Sequence, residues 1–290
     1  LATLLDLAVA PVDDVLLAGQ GVALVFERPS LRTRASSSVA VHELGGFATF
    51  FSDDEIGLDT RESAEDVART LSEMYSIAAL RVRHHGVFER MARATNDRLA
   101  LVNLLSDAAH PTQALADVLT LAEAFAGGDA RALAGLRVAY VGDATNVTRS
   151  LAVALVRLGA VVTVGAPAAY QLTPGGPEDP LAVDGPGSLR LVDSAIEAVR
   201  GADVVYTDAW VSMGVEDEAD RRREDFAEFR VDAALITEAP GARLMHCLPA
   251  HRGDEVTDDV VDADNSLVWR QVFHRRSAMV GVLRWIKEKQ

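Results

Sequence analysis

The stretch that decides the fold reads Gly21-Val-Ala-Leu-Val-Phe-Glu-Arg-Pro-Ser30-Leu-Arg-Thr-Arg34. Its first half is an apolar, β-branched run with the length of a buried strand. Pro29 and Ser30 end that strand, and the proline-free run at 31–44 predicts a helix that begins directly after Ser30. The chain therefore passes from a strand into a helix N-terminus, as in the first half of a strand–helix–strand unit.

The start of this helix predicts an anion-binding site. Ser30 is in the N-cap position, and the first N–H groups of a helix have no partner within it. The hydroxyls of Ser30 and Thr33 and the guanidinium groups of Arg32 and Arg34 lie within the same five residues. A positive helix end with such donors favours phosphate, and the planar Arg side chain can hold two phosphate oxygens at once. The alternative is a capped helix with two solvated arginines.

Strands and helices alternate along the rest of the chain. Further strands are predicted at 47–51, 77–82, 99–105, 136–141, 161–164, 204–207 and 243–247. The polar stretch 53–62 and the Pro- and Gly-rich stretch 165–187 are predicted to be loops. Alternation of this kind is typical of parallel sheets built from right-handed βαβ units.

We therefore predict an α/β fold with two doubly wound parallel-sheet domains and an active site in the cleft between them. The small, polar stretch at 126–130 is the predicted boundary. The first domain is expected to span 1–126 and to be completed by a C-terminal helix at about 266–290. The second domain is expected to span 127–265.

Composition restricts the classes of function and the cellular location. Lys and Arg number 28 against 43 Asp and Glu, a formal net charge of −15. Such an acidic chain is a poor candidate for binding nucleic acids or anionic membranes. No apolar run reaches the ~20 residues that a membrane span needs. Cys247 is the only cysteine, so no intrachain disulfide can form, which fits a reducing cytoplasm.

Polar residues collect directly after the predicted strands. In parallel sheets, ligands bind at the carboxyl ends of the strands. The segments with chemically capable residues at these positions are Ser30 to Arg34, Arg83, His110 to Gln113, Asp143 to Asn146, Asp208 to Gly214 and His246 to Arg252. Their shared position predicts one composite site.

The same residues argue against three other kinds of site. Gly142-Asp-Ala-Thr-Asn146 lacks the glycines of a dinucleotide-binding turn, so NAD or FAD binding is not favoured. His246 and Cys247 are adjacent on a predicted strand, so their side chains should point to opposite faces, which argues against a Cys–His catalytic pair. Together with His251 they lack the spacing of zinc ligands.

Several polar and aromatic residues admit two interpretations. His110 and Gln113 lie on one face of a helix start and can donate to a carbonyl oxygen, or His110 caps the helix. Asn146 either binds a ligand carboxylate or caps its own helix. Trp210 and Met213 are predicted to lie exposed on a loop that closes over a ligand.

In these motifs the chain resembles the ornithine carbamoyltransferases, and the resemblance extends over nearly its whole length. Three motifs carry the resemblance: Ser30-Leu-Arg-Thr-Arg34, His110-Pro-Thr-Gln113 and His246-Cys-Leu-Pro-Ala250. Carbamoyltransferases in general share the first two. The third, with Asp208-Ala-Trp-Val-Ser-Met-Gly214, is specific to the ornithine branch. An aspartate carbamoyltransferase would show Pro-Leu-Pro where this chain has His-Cys-Leu-Pro.

The resemblance implies transfer of a carbamoyl group from carbamoyl phosphate to the side-chain amine of L-ornithine, giving L-citrulline and phosphate. It implies that the first domain binds carbamoyl phosphate and the second binds ornithine, with no metal and no organic cofactor. It further implies a homotrimer or a multiple of trimers. The direction, arginine biosynthesis or breakdown, stays open. Alternatives are another amine, such as putrescine or acetylornithine, and a non-catalytic relative that binds anions or amino acids.

The resemblance assigns substrate-binding and catalytic roles to individual positions of this sequence. Carbamoyl phosphate is expected to bind Ser30, the backbone of Leu31, Arg32, Thr33, Arg83, His110, Gln113, Leu248 and Arg275. L-Ornithine is expected to bind Asn146, Asp208, Ser212, Met213, Cys247 and Leu248. The residues expected to act in catalysis are Cys247, Arg32, Arg83 and His110.

Two of these assignments leave alternatives open. The amine must lose a proton, and the acceptor is the Cys247 thiolate, a carbonyl such as that of Leu248, or water. Arg275 stands in His274-Arg-Arg-Ser277, where the family usually has Asn-Arg-x-His. Displacement of Arg275 would therefore weaken carbamoyl-phosphate binding.

Overall fold

The computed structural model describes residues 1–11, 15–176, 179–211 and 216–290. The strands, in chain order, are β1 Gly21–Phe26, β2 Phe47–Ser52, β3 Ile77–Arg81, β4 Ala100–Leu105, β5 Arg137–Val141, β6 Val161–Gly165, β7 Ser188–Val192, β8 Val204–Thr207 and β9 Arg243–His246.

The helices, in chain order, are α1 Ala2–Val9, α2 Leu31–Glu43, α3 Asp53–Ile56, α4 Ala64–Ser72, α5 Gly86–Thr95, α6 Pro111–Phe125, α7 Asn146–Arg157, α8 Ala195–Val199, α9 Ala219–Asp225, α10 Ala233–Thr237, α11 Asp258–Val261 and α12 Val268–Lys289. Short 3-10 turns lie at Ala130–Leu133, Ala168–Tyr170, Pro180–Ala182, Glu216–Glu218 and Ala227–Phe229. In the described part of the chain, no helix combines the length and the apolar character needed to span a bilayer.

The chain forms two compact units, each with its own parallel sheet. Unit 1 comprises Leu1–Ala116 and Phe273–Gln290, and unit 2 comprises Asp117–Val272. The strand order is β2-β1-β3-β4 in unit 1 and β7-β6-β5-β8-β9 in unit 2. Every pairing between these strands is parallel. The prediction of two parallel-sheet α/β domains is confirmed.

Each sheet reverses its strand order once. In unit 1 the reversal falls between β1 and β3, and in unit 2 it falls between β5 and β8. At such a point the loops that follow the two strands leave on opposite sides of the sheet and open a crevice, which is where ligands bind in open parallel sheets. The fold therefore provides one candidate site at the end of each strand pair.

The central strands are apolar because helices cover both faces of each sheet. In unit 1, Val22, Ala23 and Leu24 of β1 are completely buried. In unit 2, Tyr140 of β5 and Tyr206 of β8 are also completely buried, and their rings stack with centroids 5.6 Å apart. The continuous apolar runs of the sequence are therefore the runs that the helices cover.

The unit boundaries lie inside helices α6 and α12, whereas composition placed them after residues 126 and 265. The second half of α6 belongs with the second sheet through a buried network. Asp117 accepts hydrogen bonds from Tyr206 Oη at 3.0 Å and from Gln271 Nε2 at 2.9 Å. At the surface, Glu123 pairs with Arg270 at 2.7 Å. The change in composition falls at the end of α6, but the contacts that join α6 to the second sheet begin at Asp117, in the middle of the helix.

The stretch 53–62 was predicted to be a loop, and its first turn is helical. A capping box starts α3: the Ser52 backbone N–H donates to Glu55 Oε2 at 2.7 Å, and the Ser52 hydroxyl donates to the same oxygen at 2.9 Å. Asp53, Asp54 and Glu55 lie in the first turn, where the helix dipole favours acidic groups. The same acidic residues that gave the stretch its polar character thus stabilise a short helix.

Close packing of α12 against α1 yields a stability prediction. A Cβ placed on Gly281 would lie 2.7 Å from Ala8 Cβ and 2.7 Å from the Leu4 carbonyl oxygen. We expect Gly281→Ala to lower the free energy of unfolding by about 1–3 kcal/mol, because overpacking forces the two helices apart. Urea denaturation measures the change. The control is Gly86→Ala in α5, where a Cβ meets no atom within 4 Å. Equal losses in both variants would contradict this explanation.

Candidate active site

A first cluster lies where β1 passes into α2, at the reversal point of unit 1. Ser30 is the N-cap, as predicted: its Oγ accepts from the Thr33 N–H at 3.4 Å and donates to Thr33 Oγ1 at 3.0 Å. Arg32 is half-buried on this first turn. The Leu31 side chain is 80% exposed, so only its backbone is available to the cluster. Arg34 instead lies over the Phe50 ring, 3.8 Å from its centroid.

A chain of hydrogen bonds extends this cluster to α6 and α12. Arg275 donates to Thr33 Oγ1 at 2.8 Å and, through a second nitrogen, to the side-chain oxygen of Gln113. Thr33, Gln113 and Arg275 are all buried. The structure thus brings Ser30, Thr33, Gln113 and Arg275 together. Arg275 lies in the cluster although its neighbours on α12 depart from the family pattern.

His110 begins α6 beside this cluster. Its backbone carbonyl accepts from the N–H groups of Gln113 at 3.1 Å and Ala114 at 3.2 Å, so the carbonyl closes the first helical turn. Burial, and then the positive charges of Arg275 and Arg81, hold the pKa of His110 well below its usual value. The imidazole is therefore neutral near pH 7 and carries one N–H donor.

The structure places Arg83 outside this cluster. Its side chain is exposed and pairs with Asp53 at 2.7 Å, while its backbone N–H donates to the Glu27 carboxylate. Arg81, two residues earlier, is instead buried at the end of β3 and acts electrostatically on His110. The strand pairing shifts register between Leu80 and Arg81.

Arg81 is a candidate site residue that the sequence pattern did not single out. The sequence predicts a strand to residue 82, and Arg83 is the first polar residue after it. A signal was present, because Arg81 interrupts an otherwise apolar run of buried type, and arginine is rarely buried without a charged or polar partner. A charged residue inside a buried strand is therefore an indicator of a candidate site.

A second cluster lies at the carboxyl ends of β8 and β9 in unit 2. The Cys247 thiol donates to Asp208 Oδ1 at 2.9 Å. Burial raises the pKa of Asp208 from its ordinary value. Asn146 is the first residue of α7 and is half-buried, whereas Thr145 is the N-cap and accepts from the Val147 N–H at 3.4 Å. The capping interpretation of Asn146 is therefore wrong, and its amide stays a candidate ligand.

The prediction that His246 and Cys247 point to opposite faces is wrong. β9 ends at His246, and Leu248 adopts a left-handed φ of 59°, so strand alternation does not reach Cys247. The ligand atoms of Asp208, His246 and Cys247 all lie within 4.8 Å of one another, close enough for a metal ion to bridge them. The expectation that no metal is needed stays a prediction.

A Cys–His catalytic pair is nevertheless disfavoured, for a different reason. His246 Nδ1 accepts from the Leu248 N–H at 2.8 Å, which places the ring proton on Nε2. Nε2 lies 3.1 Å from Glu255 Oε1, and both side chains are completely buried. Both ring nitrogens are therefore engaged away from the Cys247 sulfur. His246 holds the turn in place and is not positioned as a base.

Trp210 does not lie exposed on a loop, so that prediction is wrong. Its side chain is 1% exposed and stacks on Phe226 with ring centroids 5.6 Å apart. Gly142, at φ 121°, faces the indole, and a Cβ there would lie 3.3 Å from Trp210 Nε1. Packing in the core of unit 2 therefore explains Trp210. Ser212 and Met213, the other predicted residues of this segment, lie outside the described residues.

Two family models match this chain. Residues 4–123 match the carbamoyl-P binding domain of aspartate/ornithine carbamoyltransferase, and residues 134–286 match the Asp/Orn binding domain. The chain belongs to the aspartate/ornithine carbamoyltransferase family. Arg275 falls within the sequence matched to the Asp/Orn binding domain but is buried in unit 1, because α12 passes from one unit into the other.

Similar members of this carbamoyltransferase family cover most of the chain. This chain is 41% identical over 276 residues to the anabolic ornithine carbamoyltransferase of Pyrococcus furiosus, and the match covers 92% of this chain and 84% of the relative. The solved structure of the Pyrococcus furiosus enzyme has a TM-score of 0.86 at 39% identity, over 97% of this chain and 91% of that one. The anabolic Campylobacter jejuni enzyme has a TM-score of 0.86 at 29% identity, over 99% and 95%.

The buried, neutral His110 predicts an acid-dependent loss of stability. Its pKa is lower in the folded protein than the ~6.5 of an unfolded chain, so unfolding takes up a proton between the two values. The stability contributed by the neutral ring is complete above pH ~6.5 and falls below it by at most about 1.4 kcal/mol per pH unit.

We expect His110→Gln to flatten the dependence of unfolding free energy on pH between about 7 and 5. Urea denaturation at a series of pH values measures this slope. The matched control is His84→Gln, at a histidine whose side chain is 82% exposed, and it should keep the wild-type slope. A slope that is the same in the His110 variant and the wild type would contradict the argument.

Proposed function

We propose that this protein transfers the carbamoyl group of carbamoyl phosphate to the side-chain amine of L-ornithine and releases L-citrulline and phosphate. The proposal rests on family membership together with one structural observation. The Ser30–Thr33–Arg275–Gln113 chain of hydrogen bonds, beside the neutral His110, forms a dense set of donors at the reversal point of a parallel sheet. Such a set suits a compact anion with a carbonyl group attached.

Carbamoyl phosphate is proposed to bind the first cluster. Ser30, Arg32, Thr33 and the backbone N–H of Leu31 hold the phosphate at the start of α2, where the helix dipole favours negative charge. Arg275 contributes a second guanidinium to the same place. As the amine attacks the carbamoyl carbon, the C–N bond forms, the C–O bond to phosphate breaks, and the phosphate leaves as an anion that these cations neutralise.

The carbamoyl oxygen is proposed to receive its hydrogen bonds from Arg81, His110 and Gln113. A neutral imidazole still donates through its N–H, and a buried guanidinium donates where negative charge develops in the transition state. Arg81 takes the role that the sequence had assigned to Arg83, because Arg81 is the buried arginine beside His110. Each such donor can supply roughly 3–4 kcal/mol of transition-state stabilisation.

Ornithine is proposed to bind the second cluster. Asp208 offers a carboxylate to an ammonium group, and Asn146 offers an amide to a carboxylate, so the pair suits a zwitterionic amino acid. Ser212 and Met213 are proposed to contribute by family resemblance. Cys247 and the carbonyl of Leu248 are proposed to lie beside the side-chain amine. Leu248 is also proposed to contact carbamoyl phosphate.

The proton of the attacking amine is proposed to pass to Cys247. An alkylammonium group has a pKa near ~10, so it must be deprotonated before it can attack. The thiol already donates to Asp208, so as the amine proton passes to the Cys247 sulfur the thiol proton passes to the Asp208 carboxylate. Burial raises the pKa of Asp208, which favours this transfer.

The direction of the reaction, the oligomeric state and the cellular location of the protein are proposed from the resemblance. The word anabolic in the names of the Pyrococcus furiosus and Campylobacter jejuni enzymes supports the direction of arginine biosynthesis. A homotrimer or a multiple of trimers is proposed, and light scattering on the purified protein measures the mass. A cytoplasmic location is supported by the single cysteine in the sequence.

A substrate panel tests the reaction itself. We expect the purified protein to form L-citrulline from carbamoyl phosphate and L-ornithine, with phosphate released in a 1:1 ratio by colorimetric assay. Putrescine and acetylornithine should react at least about 100-fold more slowly, because both lack part of the zwitterion that Asn146 and Asp208 recognise. Preference for putrescine or acetylornithine would reassign the amine. No turnover with any amine would support a non-catalytic binding protein.

Arg81 and Arg83 provide a matched pair of variants for the carbamoyl-phosphate site. We expect Arg81→Met to lower kcat by about 100- to 1,000-fold, because a donor to the developing oxyanion is lost. Arg83→Met should stay within about threefold of wild type, because its partner Asp53 lies at the surface. Steady-state citrulline formation measures both. The reverse pattern, with activity lost only in the Arg83 variant, would restore the assignment made from sequence.

A further inference from the structure

One side chain of α9 joins the two loops at the reversal point of the second sheet. The first loop follows β5 and runs through Asp143 to Asn146. The second follows β8 and runs from Asp208 to Trp210. β5 and β8 are paired neighbours, with Val141 opposite Thr207. Arg222 lies on α9, a helix that is part of neither loop, and its side chain contacts both loops.

The guanidinium of Arg222 makes three separate contacts. It donates to Asp143 Oδ2 at 2.6 Å and to the Trp210 carbonyl oxygen at 2.9 Å. Its Nε donates to Glu218 Oε2 at 3.0 Å. The side chains of Arg222 and Asp143 are each only 11% exposed, so this ion pair is screened little by solvent. Asp143 precedes Asn146 by three residues, and Trp210 follows Asp208 by two.

Each of the two loops is also anchored to the core below it. The Tyr140 hydroxyl donates to the Asp143 carbonyl oxygen at 2.9 Å, and Trp210 stacks on Phe226 at the C-terminal end of α9. Tyr170 packs against Phe226 with ring centroids 4.6 Å apart and lies under the Arg222 guanidinium. Arg222 therefore has little freedom to follow one loop away from the other.

The rigid guanidinium plane suits this set of contacts. Nη1 makes both bonds between the loops, to Asp143 and to the Trp210 carbonyl, while Nε in the same plane donates to Glu218 and holds the orientation of the group. A lysine offers a single nitrogen on a flexible stem. Burial raises the pKa of Asp143 from its ordinary value, and the Arg222 guanidinium opposes this shift.

We propose that Arg222 is a positioning residue for the amine substrate, which fixes the distance between Asn146 on one loop and Asp208 on the other. This inference rests on the proposed function, because those two residues are the proposed ligands of the ornithine carboxylate and ammonium groups. Arg222 itself has no direct contact with the substrate in this scheme. Its loss should weaken ornithine binding and leave carbamoyl-phosphate binding in unit 1 unaffected.

Arg222→Lys and Arg222→Met test the positioning role by steady-state kinetics. We expect KM for ornithine to rise at least about tenfold in the Met variant and less in the Lys variant, with KM for carbamoyl phosphate within about twofold of wild type. The matched control is Arg223→Met, at a half-exposed neighbour on the same helix that pairs with Asp220 and Asp254. The control should stay within about twofold of wild type for both substrates. An unchanged ornithine KM in Arg222→Met, or equal rises for both substrates, would overturn the proposal.

A double variant separates positioning from stability. Arg222→Met leaves the buried Asp143 carboxylate without its cation, which by itself lowers Tm. Arg222→Met with Asp143→Asn removes both charges, so we expect most of the lost Tm to return while KM for ornithine stays raised. Recovery of both Tm and ornithine KM would assign Arg222 a purely structural role and would refute the positioning role.

Hydrogen exchange tests the inference independently of turnover. We expect Arg222→Met to speed exchange in peptides covering 142–147 and 207–211, and Arg223→Met to leave both at the wild-type rate. If the protein forms no citrulline from any amine, the proposed function fails, and the exchange data alone then decide whether Arg222 couples the two loops. Wild-type protection of both peptides in Arg222→Met would overturn the inference.

Discussion

The carboxyl ends of parallel strands must all lie at one edge of a sheet, because each crossover helix returns the chain to the opposite edge. Where the strand order reverses, neighbouring loops diverge and leave a crevice. Both sheets of this protein reverse once, between β1 and β3 and between β5 and β8. The start of α2 and the end of β3 meet at the first reversal, and the loops that carry Asn146 and Asp208 meet at the second. Side chains from α6, α9 and α12 then complete the two clusters.

The two clusters have opposite electrostatic character, which matches the two proposed substrates. In unit 1, Arg81 and Arg275 are buried, and burial of His110 together with these two positive charges lowers the pKa of the histidine. Burying cations costs free energy unless hydrogen bonds or an anion compensate, and the hydrogen bonds of Arg275 to Thr33 and Gln113 supply part of this compensation. In unit 2, an acid and a thiol share a hydrogen bond and suit an amine. The different charges are those expected for the two proposed substrates.

Much of the fold and part of the site could be predicted because they depend on local sequence. Apolar runs identify buried strands, and Ser30 before a proline-free stretch identifies a helix N-cap. His110 and Gln113 are brought close by helical spacing alone. Local sequence does not show the environment of groups whose partners come from distant segments. Arg83 pairs with Asp53 from the other side of β1, and Trp210 packs on Phe226 from α9. Neither partner is visible in the local pattern.

The sequence by itself determined the α/β class, the alternation of strands and helices, and the capped helix start at Ser30, since hydrophobic period and capping act over a few residues. Only the tertiary structure decided that Arg81 rather than Arg83 lies beside His110, and that the Cys247 sulfur turns back towards His246 and Asp208. The physical reason is that a strand ends where pairing with its neighbours ends. The register shift at Arg81 and the left-handed φ of Leu248 both fall where a strand ends, and local periodicity does not predict which way the side chains there point.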